Sequence, residues 1–468
     1  MPESDERIES DSLGEITVPA AAYWGAQTQR AIENFPISGE TMDRRFISAL
    51  GVVKRAAATA NHQLGLLDED IAAAIQEAAS EVIRGEHDDQ FPVDVFQTGS
   101  GTSTNMNANE VIANRAAEIL AGSIESDAVH PNDHVNFGQS SNDVIPTAMH
   151  VAALEATERD VLPALATLAE ELEAKETAFD GIVKTGRTHL QDATPVRLGQ
   201  EFGGYRTQVE KGITRIEREK SDLSELAIGG TAVGTGLNTH PDFPELAVEA
   251  ISEATDLPFR EASNHFEAQA AHDAMAQVHG AFRTVSGSLD KIAHDLRLLA
   301  SGPRNGLGEL DQPENQPGSS IMPGKVNPVV AESVNQIHAR IVGNDATIAK
   351  GGAGGQLELN LYKPVLVADF LESARLLANG AETFATRFVA KLEAEEEACA
   401  EQVERSLALA TALNPAIGYD AAAEVAKTAL ETGKTIREVA VAKGYLTEEE
   451  AEQVIDSEAM TERGILTD

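Results

Sequence analysis

The sequence predicts a mainly α-helical protein built around a bundle of long helices. Aromatic residues make up only 4% of its 468 residues, and a composition with few β-branched runs favours helix over sheet. The strongest observation is a heptad seam, in which apolar residues recur at alternating spacings of three and four. The seam consists of Met275, Val278, Phe282, Val285, Leu289, Ile292, Leu296 and Leu299. A seam of this length requires one long helix packed at a shallow angle against others.

The long-helix region extends over residues 140–404 and forms the predicted central domain. A shorter seam with the same spacing lies near its start, at Val161, Leu165, Leu168 and Leu172. Loops that contain Gly and Pro separate its helices, and one such loop is predicted near Pro195.

The two flanking regions differ from this bundle. Residues 1–139 predict an N-terminal domain that is mixed but mostly helical, with short helices and polar loops. Residues 405–468 predict a small helical C-terminal domain, because Asn414-Pro415 interrupts the long-helix pattern. Capping boxes that begin at Thr435 and Thr447 predict the starts of two of its short helices.

The charge balance excludes several kinds of partner. The chain has 76 Asp and Glu against 36 Lys and Arg, which gives a formal net charge of −40 at pH 7. Nucleic acids and anionic membrane surfaces both require a basic footprint, and none is visible. The sequence has no long apolar run for a membrane span and no basic, then apolar, secretory signal at its start. We therefore expect a cytoplasmic protein, and the acidity indicates a cytosol rich in salt, where screening removes the self-repulsion.

We expect this protein to use no cofactor and no metal. Its single cysteine, Cys399, cannot form an internal disulfide or supply a cysteine-bound zinc or iron–sulfur site. A zinc-binding HExxH motif is also missing from the sequence.

Four segments contain more Gly, Asn and small polar residues than helix propensity or core packing explains. They are residues 98–110, 130–143, 186–195 and 318–328. Loops of this kind that lead into helices present backbone N–H groups and hydroxyls to anions. One segment alone could equally supply N-caps and turns, but four together predict a binding site for anionic groups.

The last of these segments carries the clearest chemistry. It reads GSSIMPGKVNP and places Lys325 and Asn327 just after a Pro-Gly turn. An ammonium group and an amide at this spacing suit a carboxylate, because the first neutralises its charge and the second fixes its orientation.

The four segments, together with residues 22–37 and 229–241, resemble the fumarase/aspartase superfamily. GSSIMPGKVNP is its signature, and the similarity extends from about residue 12 to the C-terminus. Within the superfamily the chain is most similar to the class II, iron-independent fumarate hydratases. Aspartases typically have Gln in place of His189, Ser-Thr-Asn in place of Ser140-Ser141-Asn142, and Ala in place of Gly324.

The resemblance implies a fold, an assembly and a reaction. The fold has three domains around a five-helix bundle, and the assembly is a homotetramer in which each active site uses loops of three chains. The reaction is the reversible, stereospecific hydration of fumarate to (S)-malate by anti addition of water through an aci-carboxylate, a step of the tricarboxylic acid cycle. The partners are thus a small dicarboxylate and further copies of the chain. The alternatives are aspartate ammonia-lyase or another superfamily lyase that releases fumarate, and a scaffold that has lost its chemistry.

The resemblance also assigns catalytic roles. Removing a proton beside a carboxylate is tolerable only if the carboxylate takes up the charge, and Lys325 and Asn327 are the residues expected to stabilise it. Ser319 is implied as the abstracting base, the alternative being that it only caps its loop. His189 would exchange a proton at the hydroxyl group, with Glu332 orienting its ring and raising its pKa.

Further residues are expected to bind dicarboxylates. The predicted substrate contacts are Ser100, Gly101, Thr102, Ser140, Ser141, Asn142, Thr188, Ser320, Lys325, Val326 and Asn327. A second dicarboxylate site is implied at His130, Pro131, Asn132 and Asp133. This second site is expected to be weak, because His134 replaces a usual Asp and residues 126–129 contain no basic residue.

Overall fold

A computed structural model describes residues 6–124 and 126–464 of the chain. The predicted class is confirmed, because most of the described residues lie in helices. The first nine α-helices are α1 (Ala26–Asn34), α2 (Arg44–Gln63), α3 (Glu69–Arg84), α4 (Thr102–Ala121), α5 (Ser141–Ala156), α6 (Leu162–Ala178), α7 (Leu198–Glu219), α8 (Phe243–Thr255) and α9 (His265–Ala270). The others are α10 (Asp273–Leu299), α11 (Val329–Gly352), α12 (Lys363–Arg387), α13 (Glu396–Arg405), α14 (Asn414–Ile417), α15 (Tyr419–Thr432), α16 (Ile436–Ala442) and α17 (Glu448–Val454).

Shorter turns of helix connect some of these elements. Two are π-helical, Pro131–Val135 and Thr157–Val161. Five are 3-10 helices, at Asp88–Gln90, Lys220–Ser224, Val389–Lys391, Leu407–Leu413 and Ala459–Thr461.

The strands form small two-stranded sheets. They are β1 (Glu6–Asp11), β2 (Gly14–Pro19), β3 (Val183–Thr188), β4 (Gln191–Arg197), β5 (Glu225–Leu226), β6 (Arg260–Glu261), β7 (Leu310–Asp311) and β8 (Glu393–Ala394). Consecutive strands pair with each other, antiparallel except for the parallel pair β5–β6.

The heptad seams predict the long helices correctly. All the residues of the longer seam lie on α10, and each of them is buried. The shorter seam begins in the π-helical turn Thr157–Val161 and continues along α6, and its four residues are fully buried. The 3–4 spacing thus selects the buried face of each helix.

The prediction of a loop near Pro195 was wrong. Pro195 lies in β4 and is opposite Thr185 of β3 in an antiparallel hairpin. Side chains of β3 form ion pairs with a residue more than a hundred positions away, as described below. A tertiary contact therefore stabilises two strands that the local sequence does not predict.

The described chain forms two compact units, each assembled from three stretches of sequence. The first unit comprises residues up to 163, 214–284 and 339–378. The second comprises residues 164–213, 285–338 and those from 379 onward. The predicted three-domain division at residues 139 and 404 stays a prediction.

The C-terminal helices begin where the capping boxes predict. Thr435 and Glu438 cap α16 reciprocally, and Thr447 and Glu450 do the same for α17. Leu413, Val425 and several other apolar residues of this region form one buried cluster beneath these helices. Each cap satisfies backbone N–H groups that would otherwise lack a partner at a helix start.

Candidate active site

The signature loop, residues 318–328, precedes α11 in the second unit and is folded by its own polar groups. The Ser319 hydroxyl oxygen accepts hydrogen bonds from the backbone N–H groups of Ile321 at 3.2 Å and Met322 at 3.0 Å. Ile321 itself is 84% exposed. The loop thus directs two N–H dipoles at Ser319 while its apolar tip faces away from the rest of its chain.

Lys325 and Asn327 are held as a pair on this loop. The Lys325 ammonium donates to the Asn327 side-chain oxygen at 2.8 Å, and the Asn327 amide donates to the Gly318 carbonyl at 2.7 Å. A side chain at position 318 would overlap the Lys325 carbonyl, so the close approach requires glycine. The neighbouring Ser320 is exposed, and the half-buried Val326 offers its carbonyl to Gln312 at 3.5 Å.

His189 lies at the tip of the β3–β4 hairpin. Thr188 pairs with Gln191, so His189 and Leu190 are the two central residues of the turn. Their φ angles are 54° and 59°, in the left-handed region that non-glycine residues rarely adopt. Such a two-residue turn matches the twist of a hairpin, and here it presents the imidazole and Thr188 at the exposed end.

Buried ion pairs anchor this hairpin. The Glu309 carboxylate is fully buried and lies 3.0 Å from the Lys184 ammonium and 2.7 Å from the Arg187 guanidinium. Lys184 also contacts Glu201 at 2.8 Å. Because Lys184 and Arg187 both belong to β3, Glu309 fixes the strand that ends at His189.

Glu332 lies in the first turn of α11. Its carboxylate is 3.9 Å from the Arg297 guanidinium. Within the described residues of one chain, Glu332 forms no ion pair with His189. The predicted His189–Glu332 pairing therefore stays a prediction.

The first predicted binding segment leads into α4 in the first unit. Gly101 adopts a φ of 78° as the N-cap, and Ile145 packs where its side chain would be. The Ser100 and Thr102 hydroxyls are 2.8 Å apart. The structure therefore brings Ser100, Gly101 and Thr102 into one turn at a helix start, where backbone N–H groups favour an anion.

The second binding segment leads into α5, in the same unit. Ser140 and Asp143 form a capping box, in which the Ser140 N–H donates to the Asp143 carboxylate at 2.9 Å. Ser141 accepts from the Asn105 amide at 3.0 Å, and the Asn142 amide donates to the Ala232 carbonyl at 2.7 Å. The sequence prediction of a loop that leads into a helix is confirmed here.

Asp143 is a residue that the sequence analysis did not single out. Its carboxylate is fully buried and also accepts from the backbone N–H groups of Gly229 at 3.0 Å and Thr231 at 2.9 Å. Burial raises the pKa of this carboxyl, and the hydrogen bonds oppose that shift. Asp143 thus ties the segment that begins at Gly229 to the start of α5.

Two fully buried lysines, Lys54 and Lys363, were also missed. Lys54 donates to the side-chain oxygens of Asn136 at 2.8 Å and Gln139 at 3.0 Å. Burial lowers the pKa of both lysines from 10.5 to about 7, against the attraction of Asp143. The available signal was a lysine among apolar residues, as in Val52-Val53-Lys54, since a buried lysine requires polar partners.

The residues of the predicted second dicarboxylate site lie in and before a π-helical turn. The Nδ1 atom of His130 accepts from the backbone N–H groups of Asn132 at 3.2 Å and Asp133 at 3.0 Å, which leaves the ring proton on Nε2. Pro131 begins the turn. This arrangement makes His130 a hydrogen-bond donor at Nε2.

Two cavities of the first unit contain these residues. One of about 740 Å³ is lined by Asn132 and Asp133 together with Ser140 and Ser141. Another of about 780 Å³ is lined by His130, Pro131, Asn132 and the N-terminal hairpin, including Arg7. The structure therefore brings part of the predicted second site next to part of the predicted substrate site.

The predicted residues thus fall into two groups. Ser100–Thr102, His130–Asp133 and Ser140–Asn142 belong to the first unit, whereas Thr188–His189 and Ser319–Glu332 belong to the second. In residues 6–124 and 126–464, no group of three metal-ligating side chains is present, and no helix has the length and apolarity to cross a bilayer. The expectation that no metal is used stays a prediction.

Comparisons with known proteins identify the family to which this chain is similar. A model of the lyase family matches residues 14–343, and a model of the fumarase C C-terminus matches residues 409–462. The chain is 73% identical to fumarate hydratase class II of Halobacterium salinarum, over 99% of this chain and 98% of that protein. It is 55% identical to fumarate hydratase class II of Nitrosomonas europaea, over 97% and 99%.

A solved structure supports the same relationship. The class II fumarase of Schistosoma mansoni superposes with a TM-score of 0.95 at 41% identity, over 97% of this chain and 99% of that chain. The signature loop, the histidine turn and both binding segments lie within the compared lengths. The chain therefore belongs to the family of class II fumarate hydratases.

Proposed function

We propose that this protein catalyses the reversible hydration of fumarate to (S)-malate by anti addition of water. The observation that carries the proposal is the signature loop, on which a lysine–asparagine pair and a serine that accepts two N–H groups lie side by side. Full-length similarity to proteins named fumarate hydratase class II supports it.

The base in this proposal is Ser319, acting on the C–H group of malate next to a carboxylate. A serine hydroxyl is a weak base, but N–H donors directed at its oxygen stabilise the alkoxide. The Ile321 and Met322 N–H groups are such donors. As the proton moves to Ser319, the electron pair of the broken C–H bond enters the adjacent carboxylate and forms the aci-carboxylate.

The aci-carboxylate carries an additional negative charge that the protein must stabilise. The Lys325 ammonium is positioned for this charge by its hydrogen bond to the Asn327 side-chain oxygen at 2.8 Å, and the Asn327 NH2 group, which uses one N–H on the Gly318 carbonyl, has a second N–H to donate. Preorganised donors of this kind stabilise the transition state more than the ground state. The electron pair then returns from the aci-carboxylate to form the C=C bond of fumarate. At the same time the C–O bond breaks on the opposite face, and His189 protonates the departing hydroxide so that water leaves.

Binding of the dicarboxylate is assigned to the segments that begin α4 and α5. Their hydroxyls, amides and helix-start N–H groups suit carboxylates, and Thr188 and Ser320 would add hydroxyl contacts. The cavity that joins Ser140 and Ser141 to Asn132 and Asp133 supports a second, weaker dicarboxylate site nearby.

The proposal includes a homotetramer in the cytoplasm. Ile321 and Met322 are exposed at the tip of the signature loop, and Leu357 is 89% exposed, which favours further chains over these surfaces. In this assembly the signature loop of one chain would act together with the binding segments of another.

The net charge of −40 supports adaptation to salt. Because the substrate is also a dianion, dilute buffer would leave both subunit contacts and substrate entry opposed by repulsion. We expect KM to fall and the tetramer to become more stable as KCl rises from about 0.1 M to a few molar. Sedimentation and activity measured across this range would show it, and a fully active tetramer in dilute buffer would refute the salt adaptation.

The reaction itself is tested by adding (S)-malate or aspartate to the purified protein in molar KCl. We expect malate to produce the ultraviolet absorbance of fumarate and aspartate to release no ammonia. Ammonia release with no turnover of malate would instead identify an ammonia-lyase.

A further inference from the structure

The two binding segments of the first unit are joined directly by the hydrogen bond between Asn105 and Ser141, and a residue that lies in neither of them contacts both. The backbone N–H of Lys363 donates to the Gly99 carbonyl at 3.1 Å, directly before Ser100. Its side-chain ammonium donates to the Asn142 carbonyl at 3.3 Å. Lys363 therefore contacts both the segment that leads into α4 and the segment that leads into α5.

Close contacts hold the backbone on either side of this bridge. A side chain at Gly99 would overlap the carbonyl group of Leu361, so the backbones at these two residues are in direct contact. Asn360 is fully buried, donates to the Gly351 carbonyl at 2.8 Å and accepts from the Tyr362 N–H at 2.8 Å. These contacts fix the position of Lys363 at the start of α12.

Lys363 shares a buried carboxylate with a second lysine, because Asp143 attracts both Lys54 and Lys363. The lysine cluster, which we define as Lys54, Asp143 and Lys363, contains two ammonium groups and one carboxylate, all fully buried. With both lysines protonated, the cluster has one net positive charge. An unbalanced buried cation is costly for stability, and such costs are typical of functional sites.

We propose that Lys363 is a positioning residue for substrate binding, which helps to hold the two binding segments at a fixed separation. This inference rests on the proposed function, since it takes those segments as the carboxylate-binding part of the site. Lys363 acts through the Gly99 and Asn142 backbones and has no assigned contact with the reacting atoms.

The test is the variant Lys363→Met, which keeps the length of the side chain and removes its charge. Lys54 and Asp143 remain as one cation and one anion, so we expect the melting temperature to stay equal or rise. We expect KM for fumarate to rise about tenfold or more, with kcat changed less than about threefold, because a charged hydrogen bond that orders the binding segments is lost. A residue needed only for folding would lower the melting temperature instead.

Lys54→Met is the matched control, because Lys54 lies in the same cluster but donates to Asn136 and Gln139 rather than to Gly99 and Asn142. We expect its KM to change less than about threefold. An unchanged KM in Lys363→Met, or an equal rise in both variants, would overturn the inference.

Titration with succinate, a dicarboxylate that cannot be hydrated, adds a measurement of binding alone, and we expect the same weakening in Lys363→Met. Wild-type protein that does not hydrate fumarate would contradict the proposed function, whereas active wild type with normal KM in Lys363→Met would contradict only this inference.

Discussion

The signature loop and the lysine cluster represent two opposite ways of preparing polar groups for chemistry. The loop that carries Ser319 and Lys325 is exposed, and hydrogen bonds within the loop itself fix its conformation. The cluster around Asp143 is fully buried, and its hydrogen bonds connect segments far apart in sequence. Residues of the loop are therefore expected to affect turnover with little effect on stability. We use the name buried framework for the lysine cluster and the backbone segments that it contacts at Gly99 and Asn142. Residues of the buried framework are expected to affect stability or substrate affinity.

The largest effect is expected at the loop. Ser319→Ala removes the proposed base, and the loss of such a group typically lowers the rate about 10²- to 10⁴-fold. Because the side chain lies on an exposed loop, the melting temperature and the assembly should stay unchanged. Steady-state kinetics and thermal denaturation measure the two effects separately.

Ser320→Ala is the matched control for that variant, since it removes the adjacent hydroxyl from the same loop. We expect a smaller loss, because Ser320 is proposed to contact the substrate but to move no proton. Turnover of Ser319→Ala within about tenfold of wild type would exclude Ser319 as the base.

A smaller effect is expected in the buried framework, where a substitution should change stability and substrate affinity rather than turnover. Gly99→Ala places a methyl group against the Leu361 carbonyl and forces the two backbones apart. Overpacking of this kind typically costs about 1–3 kcal/mol of unfolding free energy, and KM should rise because Ser100 follows directly. Chemical denaturation and kinetics measure both quantities.

Gly181→Ala serves as its control, because no atom lies within 4 Å of the added methyl group. Its unfolding free energy should stay within about 0.5 kcal/mol of wild type. Equal stabilities of the two alanine variants would show that the contact between Gly99 and Leu361 is not tight.

The smallest effect concerns pH. Lys54 has a pKa of about 7 in the folded protein and 10.5 when unperturbed, so the unfolded chain binds more protons between these values. Stability should therefore rise as pH increases from about 7 to 9. The variant Lys54→Met should show a flatter dependence in denaturant titrations across this range. An identical slope in both proteins would mean that Lys54 titrates normally.

The sequence predicts those parts of the molecule in which local chemistry decides the structure. The α10 seam, the capping boxes at Thr435 and Thr447, and the helix starts after Gly101 and Ser140 follow from spacing and side-chain type. The signature loop is equally local, because its hydrogen bonds connect neighbours.

Other features depend on contacts that spacing does not encode. The hairpin that presents His189 is stabilised by Glu309, which pairs with Lys184 and Arg187 from a distant part of the sequence. The role proposed for Lys363 follows from its contacts with Gly99 and Asn142, which are distant from it in sequence and become neighbours only in the folded chain. The pairing of His189 with Glu332 is not among the ion pairs of the described residues, in which Glu332 pairs with Arg297, so it stays a prediction.

The central proposal is that the signature loop and the binding segments serve one active site from different chains. Its most direct test combines Ser319→Ala with Asn142→Ala in one cell with different affinity tags, assayed at a fumarate concentration at which neither variant alone shows activity. Mixed tetramers purified through both tags should recover fumarate hydration, because some sites then contain an intact loop from one chain and an intact Asn142 from another. Mixed tetramers as inactive as each variant alone would contradict the claim, since every site would then take both residues from the same chain.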